Sequence, residues 1–496
     1  MQKLLTSAQT HLADAYTIQQ KQISSIELME AASVAFVKAF TEEIPDLDSS
    51  IGVLCGKGNN GGDGLAIARL LKDRGYRHVS VYLIEFSARE TPEYKANKNL
   101  LIRLGFQFSV IDKPSDVSLL SEQIIIDAIL GSGLNKPLQG YYLDFVKLLN
   151  ALNKAVIAVD VPTGFPAEGE LQEGGIYLKA DLVICFQRPK INFFFPESAA
   201  ALSRFRVVDI GLDEEYIQQS DTPYQLMDHM ALKHWLKPRK SFSHKGTYGH
   251  ALIIAGQEDT MGAALLSSRA CLHAGAGLTS VSIPQSGLTA LNTALPEVMY
   301  LSRSSLMDKK PDAYKSVAIG PGLGKNDAQV KLLKGLLEEN KALVIDADAL
   351  NILAANQDLL NMITPGSVLT PHMKEFDNLF GQHNTWWARL EKAQSEARRL
   401  QCVIVLKNQY TFIIAQDGMV TINCTGNAAM AQGGMGDVLT GIIASFMAQG
   451  HLANEAACLA CYVHGKAGDE LALSQHSVSA SQVADQVAKT LKGLIK

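Results

Sequence analysis

A chain of 496 residues, 47% apolar and 19% charged, is long enough for more than one hydrophobic core and is composed like an ordinary globular enzyme. Its formal charge of −5 gives no electrostatic case for nucleic acid or for an anionic membrane surface. No apolar stretch reaches the roughly 18 residues of a membrane span, and the first residues lack a signal-peptide core. The seven cysteines are scattered and odd in number, so a cytosolic chain in a reducing compartment is expected.

Taken in chain order, residues 1–45 read as amphipathic helix. From Ile51 short β-rich runs alternate with helices: 51–55, 79–84, 124–127, 155–160, 182–186 and a final short strand at 205–209. Short, continuously apolar runs separated by helices predict a parallel sheet covered on both faces. Residues 211–230 are polar and weakly patterned and make the expected linker. A second series follows near Lys245, with strands at 251–255, 279–283, 316–319, 342–346, 367–370 and 403–406. The expected fold class is α/β, two three-layer αβα domains over 1–220 and 228–496. Ligands in such sheets bind beyond the carboxyl ends of the strands, where Gly256, Gly320-Pro321-Gly322, Asp346 and Pro371 stand.

The first site begins at Gly56-Lys57-Gly58-Asn59-Asn60-Gly61-Gly62-Asp63-Gly64, between a strand and an apolar helix over 65–71. Glycines let backbone N–H groups approach a phosphate, and the helix adds its positive end. The bland reading is a tight turn in which the glycines only permit close packing. Asp63, near the expected helix start, would cap it but repel a pyrophosphate. Asp127 ends a later strand and leads into Gly131-Ser132-Gly133-Leu134-Asn135-Lys136-Pro137. Asp160 ends another strand, within Asp160-Val161-Pro162-Thr163-Gly164. One such carboxylate is as readily a helix cap, but three on one sheet edge suggest more. Asn60, Asp127 and the Thr163 region offer hard oxygen ligands that suit a cation. Asp160 is then free for proton transfer.

The second glycine loop is Gly433-Gly434-Met435-Gly436-Asp437, ahead of an apolar helix and behind Thr425-Gly426-Asn427. Its N–H groups would form an anion hole, and Asp437 would take a proton from a hydroxyl attacking a phosphoryl group. Asp437 reads equally as an N-cap, and helix-end charge is expected to keep it ionised. His372 would by itself be a satisfied loop histidine. Cys458 and Cys461 form a Cys-x-x-Cys on an apolar helix face, a packing pattern with no second ligand pair nearby.

The first set of motifs, with Asp-Ala-x-x-Gly-Ser-Gly-Leu and Ala-Val-Asp-Val-Pro-Thr-Gly, resembles the NAD(P)H-hydrate epimerase domain over most of residues 10–215. That resemblance implies a Rossmann-like domain with potassium on Asn60, Asp127 and Thr163. The hydrated nucleotide would lie on Asn59, Asn60, Gly61, Gly62, Asp63, on Gly131, Ser132, Gly133, Leu134, Asn135, Lys136, Pro137, and on Asp160. Thr163 replaces the family's usual serine and keeps its oxygen.

Gly-x-Gly-Asp resembles the catalytic loop of the ribokinase-like fold. His244-Lys245-Gly246, Gly320-Pro321-Gly322-Leu323-Gly324, Asp346-Ala347-Asp348, Thr370-Pro371-His372 and Leu406-Lys407 narrow the likeness to NAD(P)H-hydrate dehydratase, from about 228 to 490. The resemblance implies that Ala263, Gly322, His372 and Asp437 contact the hydrated nucleotide. ADP would lie on Lys407, Asn408, Gln409, Tyr410, Thr411, Asn427, Gly433, Gly434 and Gly436. Asn408 departs from the Lys-Gly often found there.

Together these imply an isomerase and a lyase in one chain. One domain would interconvert the R and S forms of hydrated NADH and NADPH, with potassium and with Asp160 as acid/base. The other would dehydrate the S form at the expense of ADP, with magnesium and with Asp437 as base. A homo-oligomer is expected, with no nucleic acid or membrane partner. Two other classes stay open: a small-molecule kinase fused to a nucleotide-sensing domain, and a protein-interaction scaffold.

Overall fold

Two reciprocal caps open the chain. Thr6 with Gln9, and Ser24 with Glu27, each satisfy two otherwise unpaired N–H groups and start the helices Ser7–Lys21 and Ser25–Glu43. The computed structural model describes every residue except Asn135, Lys237, 307–312 and Lys496. It divides into two compact units, one holding Lys3–Thr222 and Thr385–Trp387, the other Met1–Gln2, Pro223–Asn384 and Ala388–Lys496.

In the N-terminal unit seven strands form one sheet in the spatial order Phe108–Ile111, His78–Ile84, Ser50–Cys55, Ile124–Ala128, Ala155–Val159, Leu182–Phe186, Phe205–Val208. Every neighbouring pair is parallel. The order reverses at Ser50–Cys55, whose two neighbours are the next strand and the fourth one, so a crevice opens beyond Cys55 and Ala128. Both the glycine loop and the Asp127 loop leave from that point. The helix after the first strand runs Asn59–Asp73, so the glycine loop is itself its first turn. A Cβ at Gly61 would stand 1.7 Å from the carbonyl oxygen of Gly56, so only glycine allows this close a return of the chain.

The C-terminal unit is built on an eleven-stranded sheet. Its middle is parallel, and its reversal lies between His250–Ile254 and Ser316–Ile319. Beyond Val403–Leu406 the sheet turns antiparallel through Thr411–Ile414 and Val420–Asn423. The helix Met435–Ala448 is buried all round from Val438 to Phe446. Burying Val438, Ile442, Ile443 and Phe446 is worth about 1.5–3 kcal/mol each, which anchors the turn that carries Asp437. Its polar members are bonded: Thr440 donates to Asp346 over 2.8 Å, and Ser445 accepts from the N–H of Ala276 at 2.8 Å.

Several local expectations need correction. Residues 211–230 are no plain linker; they hold the helix Glu214–Gln219 and the strand Tyr224–Leu226, which pairs in parallel with Val420–Ile422. That partner is distant in sequence, so local patterning carries no sign of it. The strands Phe108–Ile111 and Met299–Ser302 lie at sheet edges and are partly exposed, which removes the continuous apolar run that marks the others. Cys458 and Cys461 are buried in the helix Ala453–Ala472, and burial pushes the Cys458 thiol up to about 12. Among the described residues no helix is long and apolar enough to cross a membrane.

Candidate functional sites

The crevice of the N-terminal sheet is a cleft of about 440 Å³, with Asn59, Asn60 and Asp63 at the start of the helix Asn59–Asp73 on one side and the strand-end loop Gly131 to Leu134 on the other. Gly61 and Gly62 are buried behind them in the helix. Asp63 is the fifth residue of the helix and buried, so it is not the cap expected of it; Gly58 occupies that place. Burial, then the charges of Asp160 and Asp14, push the Asp63 carboxyl well above the usual carboxylate range. Lys136 and Pro137 line a separate, smaller cavity of about 110 Å³, and Asn135 lies outside the described residues.

Beneath this cleft the Asp127 carboxylate is wholly buried. Its Oδ1 accepts the Thr163 hydroxyl at 2.6 Å and the Ile129 N–H at 3.2 Å, and its Oδ2 accepts the Thr163 N–H at 2.7 Å. Burial lifts it to about 6 against those bonds, so among the described residues a buried carboxylate stands here with hydroxyl and amide partners only. The Asn60 side-chain amide Nδ2 is buried and has no hydrogen-bond partner.

Asp160 follows the strand Ala155–Val159 in a left-handed conformation, φ 64°, rare for a residue with a side chain. Its Oδ1 accepts the N–H of Phe186 at 3.1 Å and lies 2.7 Å from the Lys190 ammonium. This turn aims the carboxylate at the cleft, which both Asp160 and Lys190 line. Sequence reasoning missed Lys190, although Pro189-Lys190 follows the strand Leu182–Phe186 at the same sheet edge. It also missed His11 and Asp14, which reach the cleft from the first helix and carry no local motif. Burial raises the Asp14 carboxyl to about 6.

In the C-terminal unit a second cleft of about 440 Å³ is lined by Lys407, Asn408, Gln409, Thr411, Asn427 and Gly436. Tyr410 is half-buried beside it, Gly434 caps the helix Met435–Ala448, and Gly433 is exposed. The Asn427 loop is held from behind: Asp469 accepts the Gly426 N–H at 3.1 Å and the Asn427 amide at 2.8 Å. His464 also lines this cleft and was missed. Its Nε2 is buried without a partner, and burial, with Lys407 nearby, pushes it down to about 4, so the ring is neutral. His464-Gly465 and Gly468-Asp469 on one helix were the available signal.

Asp437 is the third residue of its helix. Contrary to the expectation that it acts by position alone, its carboxyl is raised. Burial, then the neighbouring Asp346 charge, raise it to about 6, and Lys407 only partly opposes them. Asp346 accepts Lys407 at 3.0 Å and Thr370 at 2.7 Å on Oδ1, and Thr440 on Oδ2. Burial works against the Lys407 charge, but Asp346 and Glu375 outweigh it and raise the ammonium above its ordinary range. A Cβ on Gly436 would stand 3.4 Å from the Lys407 Nζ, so the cation sits under the glycine loop.

His372 caps the helix Met373–Phe380 in a reciprocal pair with Glu375: its Nδ1 accepts the Glu375 N–H at 3.2 Å, and Glu375 accepts the His372 N–H at 2.9 Å. The ring stays half exposed. A backbone bridge sets His372 beside Lys407. Ala263 and Gly322 meet at the sheet reversal, where the Thr260 hydroxyl donates to the Gly322 carbonyl at 2.8 Å.

The family described as NAD(P)H-hydrate dehydratase matches residues 251–492, and that described as YjeF-related protein N-terminus matches 25–192. The chain is 34% identical to a bifunctional NAD(P)H-hydrate repair enzyme of Moorella thermoacetica, over 99% of this chain and 97% of that one. To the Escherichia coli enzyme of the same description it is 35% identical, over 90% and 85%. A solved ribokinase-like superfamily protein of Enterococcus faecalis, 29% identical, covers 55% of this chain and 98% of its own, with a TM-score of 0.52.

Proposed function

We propose how the two clefts divide the chemistry of a chain that belongs to the family of bifunctional NAD(P)H-hydrate repair enzymes, an isomerase and a lyase in one polypeptide. It interconverts the R and S forms of hydrated NADH and NADPH and dehydrates the S form at the expense of ADP. The seven free cysteines suit a cytosolic setting.

The dehydratase reading rests on one observation: Asp437, poised near neutrality, stands in the first turn of a helix whose glycine loop covers the Lys407–Asp346 pair. The C6 hydroxyl is a poor leaving group. Asp437 takes its proton as the oxygen attacks the terminal phosphorus of ADP; AMP departs, the N1 lone pair expels inorganic phosphate from C6, and loss of a proton from C5 then forms the C5=C6 double bond of the restored ring. Backbone N–H groups from Gly433 to Gly436, with Lys407, stabilise the charge on the moving phosphoryl group. The ADP lies along Lys407 to Thr411 and Asn427, and the hydrated ring against Ala263, Gly322 and His372. Magnesium fits as a cation carried in on the nucleotide phosphates, since Asp346 already accepts Lys407, Thr370 and Thr440. It would supply charge neutralisation there.

The N-terminal cleft epimerises, with Asp160 as acid/base and the nucleotide on Asn59 to Asp63 and Gly131 to Leu134. Potassium fits the Asp127–Thr163 pair with Asn60: the donors are hard oxygens, and among the described residues no protein cation is bonded to the buried Asp127 carboxylate. An assay of each purified epimer with ADP and with ATP tests the whole reading. NADH recovered from both epimers supports it; a stable phosphorylated product instead would replace it with a kinase.

A further inference from the structure

The N-terminal cleft holds a cation that this chemistry has not used. Of the described residues lining it, Lys190 is the one lysine or arginine, set among the carboxylates of Asp14, Asp63 and Asp160. Its side chain is 7% exposed, and its Nζ lies 2.7 Å from Oδ1 of Asp160, itself 13% exposed. Burying so many ionisable groups in one cleft is costly, and a purely structural pair could be replaced by apolar side chains without loss.

The substrate explains the pairing. Its C6 carries a hydroxyl, the ring nitrogen N1 and a hydrogen that no adjacent carbonyl makes acidic, so inversion breaks C6–O or C6–N1. Breaking C6–O expels hydroxide, the leaving group that the other unit must phosphorylate first. Breaking C6–N1 needs only a base at the hydroxyl and an acid at the nitrogen. Two atoms on one tetrahedral carbon lie about 2.4 Å apart, close to the spacing of the Asp160 and Lys190 head groups.

We propose that Lys190 is a second catalytic residue of the epimerase, forming with Asp160 an acid–base couple that opens the hydrated ring at C6–N1 and recloses it on the opposite face. The inference rests on the epimerase reading given above. Asp160 takes the hydroxyl proton, the O–H electrons form the C6=O double bond, and the C6–N1 pair moves to N1, which takes a proton from the Lys190 ammonium. The products are an aldehyde and an enamine N–H. Rotation about C5–C6 presents the other carbonyl face; N1 attacks it, its proton returns to Lys190, and the oxygen regains a proton from Asp160. No atom or electron is gained or lost overall. Burial opposes the Lys190 charge, but Asp160, Cys185 and Asp14 outweigh it and keep the ammonium protonated between turnovers.

The test uses the full chain, with S-epimer repair by ADP as an internal control. Lys190→Ala should lower kcat for R-epimer conversion by about 10²–10⁴ with a much smaller change in KM, the usual size of a lost proton donor. Added methylammonium should restore part of it, which a purely structural role would not allow. A second measurement needs no variant: wild-type turnover in ¹⁸O-labelled water should invert C6 faster than it incorporates label. Incorporation of one label per inversion would mean C6–O cleavage and overturn the proposal, as would a Lys190→Ala enzyme with wild-type kcat. If the wild-type chain fails to convert the R epimer, the epimerase reading itself falls; if it converts it and only these tests fail, the reading stands and the role of Lys190 is rejected.

Discussion

The ammonium of Lys407 lies 3.0 Å from Oδ1 of Asp346, although the two residues end strands that are separated by a third. Val368–Leu369 runs between Leu343–Ile345 and Val403–Leu406, and the long lysine side chain spans its width. Asp346 in turn raises Asp437, so one buried carboxylate tunes both the cation and the base.

Asp437→Asn removes the proton acceptor but keeps the shape. It should lower ADP-dependent recovery of NADH from the S epimer by about 10²–10⁴, while the R to S ratio still equilibrates at the wild-type rate. Absorbance of NADH and chromatographic separation of the epimers read the two activities separately. Full repair by the variant would remove Asp437 from the mechanism.

The raised Asp437 carboxyl sets a pH dependence. A base must be ionised to act, so below about 6 the working form is lost and kcat/KM for dehydration should fall tenfold per pH unit. Above that point it should level off. A profile flat down to pH 4 would contradict this role.

Asp160→Ala should leave the S epimer repairable and strand the R epimer at its spontaneous rate of exchange. Progress curves from each purified epimer check this. The assignment is wrong if both epimers are still consumed at wild-type rates.

Replacing potassium by lithium should slow epimerisation and spare dehydration, because lithium is too small for the oxygen set around Asp127. A ligand that binds only the folded state also raises its unfolding temperature, so calorimetry should show a potassium-dependent transition in the wild-type chain. Asp127→Asn should abolish that dependence.

Asp469→Ala frees the Gly426–Asn427 turn from the helix behind it. Hydrogen bonds to a charged group are worth about 1.5–3 kcal/mol each, so loss of this anchor should raise the KM for ADP by roughly tenfold or more. The KM for the hydrated nucleotide should change little. Isothermal titration with ADP decides it.

Much of this was legible in the chain. The strand–loop–helix runs mark Gly56 to Gly64 and Gly433 to Asp437; backbone approaches Gly56 and Gly61 too closely for a side chain, and Gly434 holds a positive φ of 89°. Strand-end carboxylates at 127, 160 and 346 stand where an α/β sheet binds ligands. The states of the acids were not legible. Asp437 was expected to act by position without a raised carboxyl, and Asp63 to be a cap; a one-dimensional pattern carries helix-end position but not depth of burial.

The sequence by itself determined the two αβα units, their family, and the loops that carry glycine and aspartate, since periodicity and backbone freedom are local properties. Only the tertiary structure decided which charges meet. Lys190 reaches Asp160, Lys407 reaches Asp346, and Asp14 joins a cleft from a helix far away in sequence. Desolvation and Coulomb energy depend on distance in space, and the crossovers of the two sheets set that distance.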